Sequence, residues 1–574
     1  MPLNTLFQSE IAQLLSQIYQ PEPPGLVEKI EKLIKQYSFS NGQSKQKKRA
    51  LYSHKDVFLI TYGDSIRNEI DPPLSVLERF MDDYLQDMIN SLHILPFFPY
   101  SSDDGFSVID YKVVHEKLGD WHHIESLASK YKLMGDLVIN HISSQSEWFS
   151  DFMNNRLPGM NYFHSMNPDS NLRNVTRPRS SPLLTPVLTK SGVQHVWTTF
   201  SPDQVDVNFS NPAVLLEYID ILLFYLSKGI KVIRLDAVAY LWKKQGTTCI
   251  HLNETHLVVK LLRLISEYVE PESILITETN VPHKENISYF GDGDEAHMVY
   301  NFSLPPLLLH AILTGNASYL SKWSKSLTPP PPGCTYFNFT ASHDGIGVRP
   351  LEGLVPKNQF DLVVKSVTDR GGMVSYKRNS DGTESPYELN ITYFDAFAEP
   401  IGNTRDEQIK RFMCSQALML SFRGVPAIYI HSLTGTFNYH KGVRDTGMKR
   451  TINRMKWDEN YLKTLLDDPH SVSAKVLNTW RKLLSVRRAE PAFDPQGGKK
   501  VLTSPPELFA MWRSSSDEMH QIVIVGNVSR RSVSWQIPIR WKCAKDLISG
   551  QEIDNNEQIT LDPWQVMWLK YEKI

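Results

Sequence analysis

Apolar positions at the start of the chain repeat every three to four residues. Leu6, Ile11, Leu14, Leu15 and Ile18 form one stripe, and Leu26, Ile30, Leu33 and Ile34 form a second after the break PEPPG at 21–25. That period predicts two amphipathic helices. They make an N-terminal helical extension over residues 1–52, which includes the basic, polar run SNGQSKQKKR at 40–49, read as a solvated linker. From residue 55 the pattern changes to short continuous apolar runs separated by longer helical patterns. The runs are VFLIT (57–61), HILPF (93–97), GDLVI (135–139), KVIRL (231–235), ILITE (274–278), HMVYN (297–301), TYFNFT (335–340) and AIYI (427–430). Continuous apolar runs are what strands buried on both faces look like, and strands joined by helices give a parallel sheet. An open doubly wound sheet shows the same alternation, and the count of eight favours closure.

The expected fold is therefore α/β: a (β/α)8 TIM barrel over residues 53–490, with inserted loop subdomains and a C-terminal antiparallel β-domain. The insertions fall at about 142–210, rich in Pro, Ser and Asn, and at about 350–400, which contains KRNSDGTESPYELN. Connections of that length are usually lids or small subdomains. After the helical pattern SAKVLNTWRKLL, residues 491–574 turn to alternating runs such as LFAMW, QIVIVGNV and SVSWQIPI, the mark of antiparallel strands.

Composition narrows the partners. The chain has 574 residues, 61 basic and 63 acidic, a formal net charge of −2. So balanced a surface has no field for nucleic acid or an anionic membrane, and the expected partner is small. Four dispersed cysteines offer neither a zinc spacing nor a disulfide framework. There is no secretory pattern at the N-terminus and no apolar run of ~20 residues, so a soluble, cytoplasmic protein is expected. No Gly-rich phosphate loop and no dense Asp/Asn calcium loop stands out, so neither a cofactor nor a metal is expected.

Catalytic groups of a barrel lie beyond the C-terminal ends of its strands. Asn140 and His141 follow the third run, Asp236 the fourth and Glu278 closes the fifth, while His343 and Asp344 follow the seventh. A single strand-end carboxylate is usually a helix cap; three from different strands at one mouth point to paired-carboxylate chemistry. DLVINH (136–141), GIKVIRLDAV (229–238), ITET (276–279) and TASHDG (340–345) resemble, in order and spacing, the four signature regions of glycoside hydrolase family 13, the α-amylase family. The resemblance implies Asp236 as nucleophile, Glu278 as general acid/base and Asp344 as the carboxylate that orients sugar hydroxyls. Arg234, two residues before Asp236 on one strand face, is expected to keep the nucleophile ionised. His141 and His343 resemble the family's donors to glucose hydroxyls.

LPFFPYSSDDGFSVIDY (95–111), TRPRSSPLLTP (176–186), SPYELNITYFDA (385–396) and KRTINR (449–454) are similar to the sucrose phosphorylase subgroup, which moves glucose onto inorganic phosphate. That similarity implies an Asp103–Arg450 pair closing the subsite at one sugar, Phe106 as an apolar platform, Arg179 as the cation for phosphate and Tyr387 at the phosphate or acceptor. Where the subgroup carries glutamine after that tyrosine, this chain has Glu388, and Lys377 and Arg378 lie nearby, suited to a polyol acceptor bearing a carboxylate. The extension, DDGFSVIDY and YELN look most like the glucosylglycerate phosphorylases of the subgroup. Sucrose phosphorylase, glucosylglycerol phosphorylase, α-glucosidase and a non-catalytic barrel are the alternatives. The expected partners are thus a small α-glucoside and inorganic phosphate, with the chain a monomer or a homodimer.

Overall fold

The computed structural model describes every residue except 1–3, 22, 38, 40–49, 380, 400–403, 540, 555–557 and 574, so the basic run at 40–49 lies outside the described residues. Eight parallel strands close into a barrel: β1 Phe58–Thr61, β2 Ser91–Ile94, β3 Lys132–Val138, β4 Ile230–Asp236, β5 Ile274–Thr277, β6 Met298–Tyr300, β7 Thr335–Asn338 and β8 Val425–Tyr429. Each pairs with its successor, and β8 returns to β1 through Phe58 opposite Ala427. All eight coincide with the apolar runs. The reason is burial on both faces: side chains of these strands are almost all inaccessible, so no polar alternation was needed.

The two N-terminal helices, α1 (Thr5–Ile18) and α2 (Leu26–Gln36), dock on the outer helices Asn253–Val269 and Pro212–Ser227 of the barrel. Phe7 stacks on Tyr268 with ring centroids 3.7 Å apart, and the hydroxyls of Tyr19 and Tyr37 donate to Phe209 O at 2.9 Å and Asp220 at 2.7 Å. One expectation fails in detail. Leu6 is 64% exposed and Phe7 takes its place, because 7, 11, 15 and 18 form the unbroken i, i+4 stripe and Leu6 lies about 100° off it.

Both insertions carry antiparallel structure. In the first, Leu184–Thr189 pairs with Gly192–Trp197, and His141–Ser143 with Gln204–Asp206. In the second, the stretch that contains KRNSDGTESPYELN is a hairpin, Met373–Arg378 with Glu384–Asn390, extended by Ile346–Gly347 into three strands. Beyond the helix Val472–Ala489 come β9 Lys499–Val501, β10 Leu508–Ser514, β11 Gln521–Asn527, β12 Val533–Trp535, β13 Trp541–Asp546, β14 Glu552–Asp554, β15 Ile559–Leu561 and β16 Val566–Lys573. Six of them form one antiparallel sheet in the order β9-β10-β11-β16-β13-β14, while β12 pairs with β15. Gly526 of β11 lies where a Cβ would stand 2.7 Å from Leu418, which lets the sheet pack against the helix Arg405–Ser421. No helix among the described residues is long and apolar enough to cross a membrane.

Ile11 is fully buried in the docked extension. Ile11→Ala is expected to weaken docking by about 2–5 kcal/mol, seen as faster amide exchange across Thr5–Gln36. The turnover number should stay at its wild-type value, because both helices dock on the outer helices of the barrel and neither lines the pocket that holds the strand-end carboxylates.

Candidate active site

The register of β3, β4 and β5 sets the floor of the site. Arg234 lies opposite Asp136 on one side and Ile276 on the other, and Asp236 lies opposite Val138, one layer nearer the mouth. Because side chains alternate, Arg234 and Asp236 share a face. The Arg234 guanidinium, only 2% exposed, donates to Asp136 in a very short contact and to Asp236 at 2.7 Å, and stands 4.0 Å from Glu278. Beneath it His93 Nε2 lies 2.7 Å from Asp136. Burial lowers the His93 pKa, so the ring is neutral and its Nε2–H donates to the carboxylate. Burial also works against the charge of Asp136, yet Arg234 and His93 hold it below the usual carboxylate range.

The chain leaves β4 through Ala237 in the left-handed region (φ 52°), a cost that non-glycine residues bear mainly at functional turns. That turn aims the Ala237 N–H at Glu278, to which it donates at 3.3 Å, making the two carboxyl groups neighbours. Burial pushes both upward, Asp236 strongly, and each is raised further by nearby negative charge. Two carboxyl groups coupled in this way titrate as a pair, and the first proton taken up is shared between them. Geometry gives the proton to Glu278, since Arg234 touches Asp236 and remains 4.0 Å from Glu278.

Around this floor stand the other predicted residues. Phe106 stacks on His343 at 4.6 Å and forms a flat wall, while its carbonyl accepts from His141 Nε2 at 2.9 Å. Burial, reinforced for His343 by Arg454, Arg234 and Arg450, lowers the pKa of both histidines, so both rings are neutral. Asp344 faces the pocket, 24% exposed, and Arg450 Nη1 lies 2.7 Å away. Burial opposes the Asp344 charge, and Arg450 and Arg454 overcome it and hold the group below its ordinary range.

Three expectations change. Arg450 grips Glu388 through Nε at 3.0 Å and Nη2 at 2.7 Å, so the main partners of the arginine are Glu388 and Asp344. Asp103 stands 3.8 Å from Arg450 and 3.7 Å from Arg454, shared loosely by the two. Glu388, expected to meet acceptor hydroxyls, is 2% exposed with both oxygens engaged by that fork. Its physical task here is to fix Arg450. Lys377 is drawn out to Glu352 at 3.0 Å and, with Arg378, lines a separate cavity rather than this pocket.

Tyr387 and Glu388 are adjacent on one strand, yet both line the pocket. The register explains it: Ser375 faces Glu388, but the next residue, Tyr376, faces Pro386, leaving Tyr387 as an unpaired bulge. A bulge re-aims one side chain. Arg179, from the first insertion, lies over the Tyr387 ring at 5.2 Å and the Phe200 ring at 5.8 Å and lines the same pocket. Among the described residues it makes no ion pair; its one hydrogen bond runs to Pro178 O at 3.5 Å.

Several contributors were not singled out from the sequence. Asp136 and Arg454 stand inside quoted motifs; Arg454 bonds Asp104 at 2.6 Å and donates to His343 O at 2.9 Å. Gln204 donates to Phe106 O at 3.1 Å. The buried Lys243 bridges Asp206 and Asn140, each at 2.6 Å, and ties the insertion to the end of β3. Nothing in the local sequence marks Gln204 or Lys243. Among the described residues no group of three or more His, Cys, Asp or Glu side chains is placed to hold a metal ion.

Comparison with known proteins agrees with this geometry. The α-amylase catalytic domain model matches residues 77–323. A glucosylglycerate phosphorylase of Spirochaeta thermophila is 46% identical over 529 residues, covering 90% of each chain. One from Escherichia coli is 43% identical, covering 94% of this chain and 96% of its own. The crystal structure of sucrose 6F-phosphate phosphorylase from Thermoanaerobacter thermosaccharolyticum superposes with a TM-score of 0.72 at 22% identity, over 91% of this chain and all of that one, a likeness of fold. With the closed barrel and the carboxylates at its mouth, these similarities establish that the chain belongs to the α-amylase family, on the branch it shares with glucosylglycerate phosphorylases.

Proposed function

We propose that the protein is a retaining glycoside phosphorylase that transfers glucose from 2-O-α-glucosylglycerate to inorganic phosphate, giving α-glucose 1-phosphate and glycerate, in the cytoplasm. The observation that carries the reading is Arg179: a guanidinium with no ion pair among the described residues, held over Tyr387 at the edge of a pocket that contains Asp236 and Glu278. A hydrolase has no use for a spare cation there, whereas phosphate must be drawn to a site otherwise walled by carboxylates.

The chemistry follows from the charges. Glu278, holding the shared proton, protonates the glycosidic oxygen while Asp236 attacks the anomeric carbon from the opposite face. Glycerate leaves, and glucose stays on Asp236 as an ester. Phosphate, oriented by Arg179 and Tyr387, then attacks the same carbon, and the second inversion restores the α configuration. A separation of ~5 Å between the two carboxyl groups suits this path. Asp344 presents an acceptor and neutral His343 a donor to the sugar hydroxyls, while His141, whose Nε2–H is taken by the Phe106 carbonyl, offers the sugar only its Nδ1 acceptor. Phe106 is the platform for the ring, and Asp103 with Arg450 and Arg454 closes the far end. Glu388 acts through Arg450.

The test is reverse synthesis: α-glucose 1-phosphate supplied with glycerate, glycerol, fructose or fructose 6-phosphate, with phosphate release followed in each. Release with glycerate at least about tenfold above the others is expected, the discrimination that a site built for a charged group achieves over analogues lacking it. Preference for another acceptor renames the enzyme within the same chemistry, and no release above the water control removes the phosphorylase reading.

Arg179→Ala is expected to lower kcat/KM for phosphate by about 100-fold, the loss of ~3 kcal/mol in charge-assisted bonding, and to leave hydrolysis of α-glucosyl fluoride within about twofold. Equal losses in both would remove its special role.

The pH profile supplies a further check. Burial, and the charge of Asp344 beside it, place the Glu278 pKa above the ordinary glutamic range. Donor cleavage needs the protonated form, so kcat/KM for the glucoside should hold below that raised pKa and fall as pH rises through it. Glu278→Gln should abolish this alkaline limb while α-glucosyl fluoride, whose leaving group needs no proton, still reacts.

A further inference from the structure

Beside the reaction pocket lies a second, roomier cavity of about 550 Å³ against about 70 Å³, and the Tyr387 ring is common to the walls of both. Its other walls come from residues 172–178 of the first insertion and from the hairpin of the second. Arg173, Arg177, Arg349, Lys377 and Arg378 all line it. Among the described residues, Arg173, Arg177 and Arg378 make no ion pair, although Glu384 is the cross-strand partner of Arg378. Arg177 instead donates to Ser181 O, a neutral carbonyl. Arg349 stands 3.9 Å from Glu285, and its Nε is buried with no hydrogen-bond partner. Lys377 alone is closely neutralised, by Glu352 at 3.0 Å.

We propose that this cavity is an anion-binding vestibule, which collects phosphate and carboxylate groups and passes them across Tyr387 to the reaction pocket. Cations that face one space add their fields there, and with few acidic groups close by the cavity is a local region of positive potential, strongest beside the less exposed Arg177 and Arg349. Burial, and then the charge of Arg378, lower the pKa of Arg177, the sign of a repulsion that a bound anion relieves. With a formal net charge of −2, the whole chain offers no general attraction to anions, so capture has to be local. The proposal rests on the phosphorylase reading in one respect: glucosylglycerate, glycerate, phosphate and α-glucose 1-phosphate are all anions. One cationic entrance therefore serves every reactant in both directions.

The experiment reverses the two exposed charges, Arg173→Glu with Arg378→Glu. Expected are falls of about tenfold in kcat/KM for phosphate, glycerate and α-glucose 1-phosphate, with loss of their salt dependence. Hydrolysis of the neutral donor α-glucosyl fluoride should keep its wild-type kcat/KM. A fall confined to phosphate, or to glycerate, upholds the vestibule and names the group it collects. Unchanged values for every anion, or an equal fall for the neutral donor, overturn it. Should the wild-type enzyme show no phosphate-dependent turnover, the functional reading fails separately. Calorimetric titration of phosphate and of glycerate into wild type and double variant then decides: binding weakened in the variant upholds the vestibule, and binding equal in both, or absent from both, overturns it.

Discussion

A guanidinium buried inside a barrel has to be paired on every side, because moving an isolated charge out of water costs several kcal/mol or more. Arg234 meets most of that demand through Nη1, with Asp136 below and Asp236 above, while Glu278 stands 4.0 Å from Nη2 and Nε has no hydrogen-bond partner among the described residues. The chain of contacts crosses three adjacent strands in register, from His93 on β2 through Asp136 on β3 to Arg234 and Asp236 on β4. A closed sheet is what puts those residues at successive heights around one axis. Shifting β4 by one residue would turn Arg234 and Asp236 to the outer face, so the strand pairing and the charge pairing specify each other.

The same economy governs the rim. Arg450 is held by Glu388 and Asp344, and Arg454 by Asp104, so the positive side of the pocket is fixed before a ligand arrives. Fixed donors and acceptors pay no reorganisation when charge develops on a bound sugar. The second insertion supplies this order through close backbone approach: a Cβ at Gly345 would stand 2.4 Å from Leu389 O, and one at Gly347 would stand 2.7 Å from Asn280. Only glycine lets the hairpin lie so near the strand ends. The turn at Asp103 and Asp104, both left-handed, depends likewise on Gly105, where a Cβ would come within 2.8 Å of Pro96 O.

How much of this was legible beforehand follows from the range of each interaction. All eight barrel strands could be read because full burial writes an uninterrupted apolar run into a few consecutive residues. Asp236, Glu278, His343 and Asp344 could be read because strand ends fix their position in space. Leu6 was misjudged since the first turn of a helix leaves the phase loose by a residue, and Phe7 takes the buried place. The hairpin at 373–390 was not legible as strands within its insertion because it carries Ser, Lys, Arg and Glu. The bulge at Tyr387 is a property of two paired strands, invisible in either alone. Lys243 and its partner Asp206 lie 37 positions apart, and nothing local joins them. Glu388 is the instructive case: its departure from glutamine was visible, but its task depends on Arg450, which the chain reaches only 62 residues later.

That fork bears on how the branch differs from its relatives in acceptor choice. A carboxylate at 388 that is 2% exposed and held through both oxygens by Arg450 is not presented to a polyol, so selection for a charged acceptor has to come from elsewhere on the rim. The remaining polar groups at that edge are Arg179 and the bulged Tyr387, and behind Tyr387 lie the unpaired arginines of the second cavity. Glu388 thereby acts at one remove: with Asp344 it fixes the Arg450 guanidinium at one wall of the pocket. A substitution at 388 would release Arg450 and so change the charge at the rim without the side chain at 388 touching a ligand, while the arginines presented by the two insertions would stay where they are.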